Sequence, residues 1–119
     1  MVLSVEIVNL IKDIQKTHHE YRMSDQMLRA GTSIGANYGE SMFAESDIDF
    51  VHKIRIALKE NHEFLYWLEL LHKTEYIEDS IYFNLNAKAI ELRKILTASV
   101  NTVRKRIEEQ TPTKNNLNS

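Results

Sequence analysis

The sequence predicts an all-α fold, an antiparallel up-down-up-down four-helix bundle, on three observations. Apolar residues return at three- and four-residue steps through four successive stretches, the period of a helix with one buried face. One proline and three glycines in 119 residues leave too little turn chemistry for a sandwich or barrel. The links between the stretches are short, and Ser or Asp stands at the head of three of the four as a helix cap. With 43% apolar and 27% charged residues, the chain has the composition of one soluble domain with one core. Residues 1–110 are expected to form it.

The first helix is expected over about residues 3–20, with Val5, Val8, Ile11, Ile14 and Gln15 as its inward stripe and Ile7 and Leu10 widening it. The His-His-Glu-Tyr-Arg segment at 18–22 breaks that pattern and ends the helix. Ser24 is the expected N-cap of the second helix, with Asp25 set against the positive end of the helix dipole. Met27, Ala30, Gly31, Ile34, Tyr38 and Met42 then keep helical spacing. Ser46 and Asp49 form a weaker version of the capping box at the start of the third helix, which runs to about His72. Its broad apolar face holds Phe50, Ile54, Ala57, Leu58, Asn61, Phe64, Leu65, Leu68 and Leu71. A separate stripe of Ile56, Trp67 and Leu70 calls for a second covering surface, either the bundle itself or another subunit, and these three are the oligomer-interface candidates. Asp79 or Ser80 is expected to cap the fourth helix, whose seam is Ile81, Leu85, Ala89, Leu92, Leu96, Val100, Val103 and Ile107. Pro112 and the polar residues of 111–119 neither extend a helix nor build a core, so a disordered C-terminal tail is expected there.

All three glycines, Gly31, Gly35 and Gly39, fall within residues 29–40 at one-turn spacing. Inside a helix each costs about 1 kcal/mol against alanine. Residues at i, i+4 and i+8 share one helical stripe, where absent side chains let a neighbouring backbone come nearer than the usual distance of about 8–10 Å. The spacing is not that of a dinucleotide loop, and no Lys-Ser/Thr pair follows, so a phosphate cradle is disfavoured. Arg29, Ser33, Asn37, Glu40 and Arg55 join the glycines as a helix-packing motif. In it Asn37, like Asn61 of the third helix, is read as a packed amide that fixes register, and Glu40 as a partner for Arg29 or Arg55.

Catalytic chemistry finds little support. There is no cysteine, which excludes disulfides, thiol nucleophiles and thiolate metal sites. A di-metal bundle needs paired Glu-x-x-His motifs, and Glu69 with His72 is the one such spacing. His52, His62 and His72 stand ten apart, so each is rotated by about 80° from the last. His18 and His19 are adjacent and point in different directions. No nucleophile can be matched to a base. The expectation is therefore no catalytic residue, no metal and no cofactor. No apolar run is long enough for a membrane span, and no basic leader precedes Glu6, so a cytoplasmic location is expected.

The net charge of −2 gives no global preference for a polyanion. The local exception is the outer side of the fourth helix, where Arg93 and Arg104, and likewise Lys94 and Lys105, are eleven residues or about three turns apart. These four cations are the candidate nucleic-acid contacts. Most such rows are simply solvated faces. Four phosphate contacts give weak, salt-sensitive binding to RNA or DNA, which repetition in an oligomer strengthens.

The Arg-Ala-Gly-Thr-Ser-Ile-Gly-Ala-Asn-Tyr-Gly-Glu-Ser stretch at 29–41 resembles the Arg-Ala-Ala-x-Ser-Ile-x-Ala-Asn-x-Ala-Glu-Gly pattern of the 23S ribosomal RNA intervening-sequence proteins. The similarity continues through residues 50–58, Glu63 and residues 68–70. It covers roughly residues 3–108, with the specific signal in 29–70. The resemblance implies a non-enzymatic four-helix bundle, commonly a ring-like homo-pentamer. Some members are encoded within ribosomal RNA gene insertions. Relatives serve as strongly basic accessory subunits of diversity-generating retroelements, which implies nucleic acid, a reverse transcriptase or another protein as partners. Arg29, Ser33, Asn37, Glu40, Arg55 and Glu63 match family positions as packing or interface residues. The chain departs from the pattern at its three glycines, at Ser41, at Lys59-Glu60 in place of a Gly-Ser pair, and in its slightly negative charge.

Overall fold

The computed structural model describes residues 2–110, and the tail expected at 111–119 lies outside them. Four helices follow one another: α1 Val2–His18, α2 Arg22–Ser41, α3 Asp47–Lys73 and α4 Asp79–Glu109. Among the described residues there is no strand. Each helix packs on the next in sequence. Across every such pair, contacts rise along one helix and fall along the other. Gly31 and Gly35 face Ile7 and Ser4. Arg29 reaches Glu60 while Glu40 reaches Lys53. Asn61 reaches Ala89 while Asp47 reaches Arg106. The expected up-and-down order fits these contacts.

The core follows the predicted faces of α3 and α4 closely. Ile54, Ala57, Asn61, Phe64, Leu68 and Leu71 are fully buried, as are Ala89 and Leu96. Corrections fall on the first two helices. In α1 the buried stripe is Ile7, Leu10, Ile11 and Ile14, while Val5 is 51% exposed. Two overlapping stripes were available, and packing took the one that buries the larger side chains. In α2 Met27, Ala30, Gly31 and Ile34 are buried, but Tyr38 and Met42 are exposed. The register explains this. Ser4 already stands opposite Gly35, so the last turn of α2 lies past the first described turn of α1.

Helix ends also differ from expectation. Ser24 does not cap α2, because it lies inside the first turn, fully buried, with its hydroxyl donating to the Glu20 carbonyl. The N-cap residue is Tyr21, and the carboxylate of Glu20 before it does the capping. Its oxygens accept from the amides of Met23 at 2.8 Å and Ser24 at 2.9 Å, satisfying two orphan donors with a charge that suits the dipole. The capping box of α3 forms as expected, with Ser46 Oγ accepting from the Asp49 amide at 3.0 Å. At α4 the N-cap is Glu78, which makes no side-chain cap bond, and Asp79 instead accepts a hydrogen bond from His72 Nε2 at 2.7 Å.

The α3–α4 link closes in a Schellman turn. The Tyr76 amide donates to the Leu71 carbonyl and the Glu75 amide to the His72 carbonyl, placing Glu75 at φ 71° where glycine is usual. A non-glycine residue there costs roughly 1–2 kcal/mol, and glycine returns roughly 0.5–1 of that through greater freedom in the unfolded chain. Glu75→Gly is therefore expected to stabilise the protein by about 0.5–1 kcal/mol in urea unfolding. No gain, or a loss, would show that the turn carries no such penalty.

Candidate nucleic-acid and assembly surfaces

Arg93, Lys94, Arg104 and Lys105 are all exposed on α4. At about 100° per residue, Arg93 and Arg104 align on one flank and Lys94 and Lys105 on the outer crest. Ile90, Thr97 and Asn101 lie between them. The cations therefore form two separate rows, each holding a pair of charges about 16 Å apart along the axis. Among the described residues none of the four has an ion-pair partner. Arg106, on the same helix, does. Its Nε and Nη2 donate to the two Asp47 oxygens at 3.0 and 2.8 Å, tying the end of α4 to the start of α3.

Other cross-helix charges are also matched. Lys88 Nζ donates to both oxygens of Glu6, and Arg29 donates to Glu60 at 3.2 Å and to Glu63. The lysine holds the Glu6 carboxyl below its ordinary pKa, Arg106 does so for Asp47, and Arg29 for Glu63. A depressed carboxyl adds stability that is complete above its unfolded pKa and is lost as pH falls through the folded one. These groups are half-buried at the surface and still screened by solvent, so the contribution is small.

The packing motif divides along α2. A Cβ on Gly31 would stand 2.7 Å from Ile7 Cδ1 and 3.1 Å from Phe64 Cδ1, so both α1 and α3 occupy that space. At Gly35 it would meet Ser4 Oγ at 3.2 Å, and at Gly39 nothing within 4 Å. Close packing therefore explains the first glycine, bears weakly on the second and does not explain the third. Asn37 is half-buried and spends its amide on the Ser33 carbonyl of its own helix at 2.9 Å, so it pins no neighbour. Glu40 pairs with Lys53 at 3.0 Å and not with Arg29 or Arg55. Arg29 is already engaged by Glu60 and Glu63, one helical turn apart on α3, and Arg55 is exposed without an ion pair among the described residues. Asn61 is a packed amide, as expected. Fully buried, its Nδ2 donates to the Ala89 carbonyl at 3.0 Å and joins α3 to α4, while its Oδ1 has no hydrogen-bond partner.

Ile56, Trp67 and Leu70 lie along one side of α3, each partly covered within the single chain. Trp67 packs against the core and meets Tyr66 edge-on at 5.0 Å. Its Nε1 is shielded from solvent without a hydrogen bond of ordinary geometry, yet lies near enough to Glu63 to help lower that pKa. The more exposed aromatic is Tyr66, at 57%, which the stripe did not include. It and Trp67 line a shallow depression of about 400 Å³ with Lys59, His62 and Glu63. Phe43, 88% exposed in the α2–α3 link, also escaped sequence reading. Links carry no periodicity that separates an inward aromatic from an outward one.

Among the described residues no group of three or more His, Asp or Glu could hold a metal ion, and no helix is long and apolar enough to cross a membrane. What the fold presents is a set of helical surfaces, which defines a protein of the four-helix, all-α class. The model of the family "23S rRNA-intervening sequence protein" matches residues 1–98, and the chain belongs to that family. It is also similar to a crystal structure of a protein of unknown function from the S23 ribosomal protein family of Bacteroides thetaiotaomicron. The two are 47% identical with a TM-score of 0.81, over 82% of this chain and 91% of that one. Comparison with curated proteins gives no match.

Proposed function

We propose that this chain is a non-enzymatic, antiparallel up-down-up-down bundle that self-associates, as a pentamer on the family resemblance, and binds RNA or DNA through Arg93, Lys94, Arg104 and Lys105. The observation that supports this is the condition of those cations. Of the other ten described lysines and arginines, Arg29, Lys53, Lys73, Lys88 and Arg106 are paired with a carboxylate, whereas these four stand exposed, without an ion pair, and together on one helix. Unpaired cations are free to release counterions from a phosphate backbone, and four per subunit repeated around a ring supply avidity that one subunit lacks.

A filter-binding titration with structured RNA across a salt series tests it. Four contacts predict a slope of log K against log salt of about −3 to −4 per bound subunit. Reversing all four to Glu is expected to weaken binding at low salt at least about a hundredfold, with helicity unchanged. Undiminished binding by that variant would remove the proposed surface. A flat salt dependence would remove phosphate contact altogether and leave the chain as a protein-assembly module.

A further inference from the structure

The unassigned feature with the most definite chemistry is the seam between α1 and α4. These helices are not closely packed neighbours. A depression of about 410 Å³ lies between them and adjoins one of about 680 Å³ between α1 and the α3–α4 link, the two sharing Leu10, Asp13 and Ile81. One end of the seam is closed by the Glu6–Lys88 ion pair at 2.8 Å. The other is bounded by the edge-on contact of His18 with Tyr76 at 5.4 Å. Twelve residues of α1 separate Glu6 from His18, so the groove is about 18 Å long, the length of about three helical turns. Its floor is apolar over the half towards Glu6 and mixed over the half towards His18. Leu10, Ile81 and Leu85 come from both helices, with Ile81 and Leu85 one turn apart. Its rim is acidic. Asp13, Glu75, Glu78 and Asp79 line it, whereas no lysine or arginine does, and Lys12 and Lys16 of the same helix are absent from the lining. Among these rim acids Asp79 is engaged by His72, while Glu75 and Glu78 make no ion pair.

We infer that this groove is a docking site for a basic amphipathic helix of a partner protein. The apolar half of the floor, between two helices, accepts the apolar stripe of a third helix laid along the seam. Carboxylates on the rim then meet lysine or arginine on the flanks of that stripe, which sets the partner's sign and excludes acidic helices. The occupant is defined by charge as well as shape. A polyanion is repelled from this face, so the groove and the cationic rows of α4 bind opposite classes of ligand.

The test is fluorescence anisotropy with a labelled Leu/Lys peptide of about four turns and helical apolar spacing. Controls are a peptide of the same composition with the spacing scrambled and a Leu/Glu counterpart. The patterned Leu/Lys peptide is expected to bind saturably and to weaken with salt. The Asp13→Lys, Glu78→Lys double variant is expected to bind it at least tenfold less tightly, about 1.4 kcal/mol, and to gain affinity for the Leu/Glu peptide. Both sites are exposed, and circular dichroism establishes that the variant is folded. The four-fold α4 reversal is expected to leave peptide binding intact, so this inference and the nucleic-acid reading fail separately. Equal binding of the scrambled peptide, an unchanged affinity in the double variant, or no saturable binding would overturn it. Displacement by the peptide of one copy of the chain from another, seen by sedimentation, would also overturn it by assigning the groove to a second copy.

Discussion

Gly31→Leu is expected to lower stability by about 3 kcal/mol, whereas Gly39→Ala, eight residues along the same stripe, is expected to raise it by about 1 kcal/mol. At Gly31 a Cβ alone comes within 2.7 Å of Ile7 Cδ1 and 3.2 Å of Ile7 Cγ2, with Phe64 Cδ1 at 3.1 Å. Ile7 and Phe64 are both fully buried, so neither can move aside without disturbing the interior. Leucine adds three more carbons where there is no space, and α2 must separate from α1 or α3. Alanine there sets a helix-propensity gain of about 1 kcal/mol against displacement of Ile7. At Gly39 nothing opposes the added methyl, so the full propensity gain is realised. Urea unfolding followed by circular dichroism measures both. Responses of the same sign at the two positions would refute close packing as the reason for Gly31.

Asn61→Asp is expected to destabilise the protein by about 3 kcal/mol or more at neutral pH and to recover on acidification. The substitution barely changes shape. It places a carboxylate oxygen where Nδ2 now donates to the Ala89 carbonyl, in a fully buried position with no cation paired to it among the described residues. Burial and the facing carbonyl both favour the neutral acid, so the folded pKa rises above the unfolded value. For a group shifted in that direction, stability is greatest below the unfolded pKa and declines as pH rises towards the folded one. Only the protonated acid can donate to Ala89. Asn61→Leu, by contrast, removes both the bond and the unsatisfied Oδ1, and is expected to be close to neutral. Stability against pH for Asp, Asn and Leu at this position separates the electrostatic effect from a packing defect. A flat profile for the Asp variant would place residue 61 in contact with water.

How much of this was legible in the sequence depended on whether a feature was local or shared. The apolar faces of α3 and α4 extend over many turns, and such long periodic patterns leave one choice of inward side. Ser46 and Asp49 signalled the start of α3 because their hydrogen bond spans three residues. The Glu20 cap on α2 was hidden, since Ser24 is the stronger local candidate and only the path of the chain around His19, at φ 53°, brings the Glu20 carboxylate onto the helix end. Charge partners were least legible. Glu40 took Lys53, and Arg29 took Glu60 and Glu63, because register across α2 and α3 decides which long side chains meet.

The all-α class, the four helical stretches, most of the core and the resemblance that the family match upholds were all legible in the order of residues. These rest on periodicity, composition and local pattern, which are properties of one segment at a time. Tertiary structure alone decided what the three equally spaced glycines do, which stripe of α1 turns inward, and that an acidic-rimmed groove opens between α1 and α4. Each is set by the offset of one helix against another. Two helices with the same faces can slide by a turn without changing any local signal, but the slide changes every neighbour that a side chain meets.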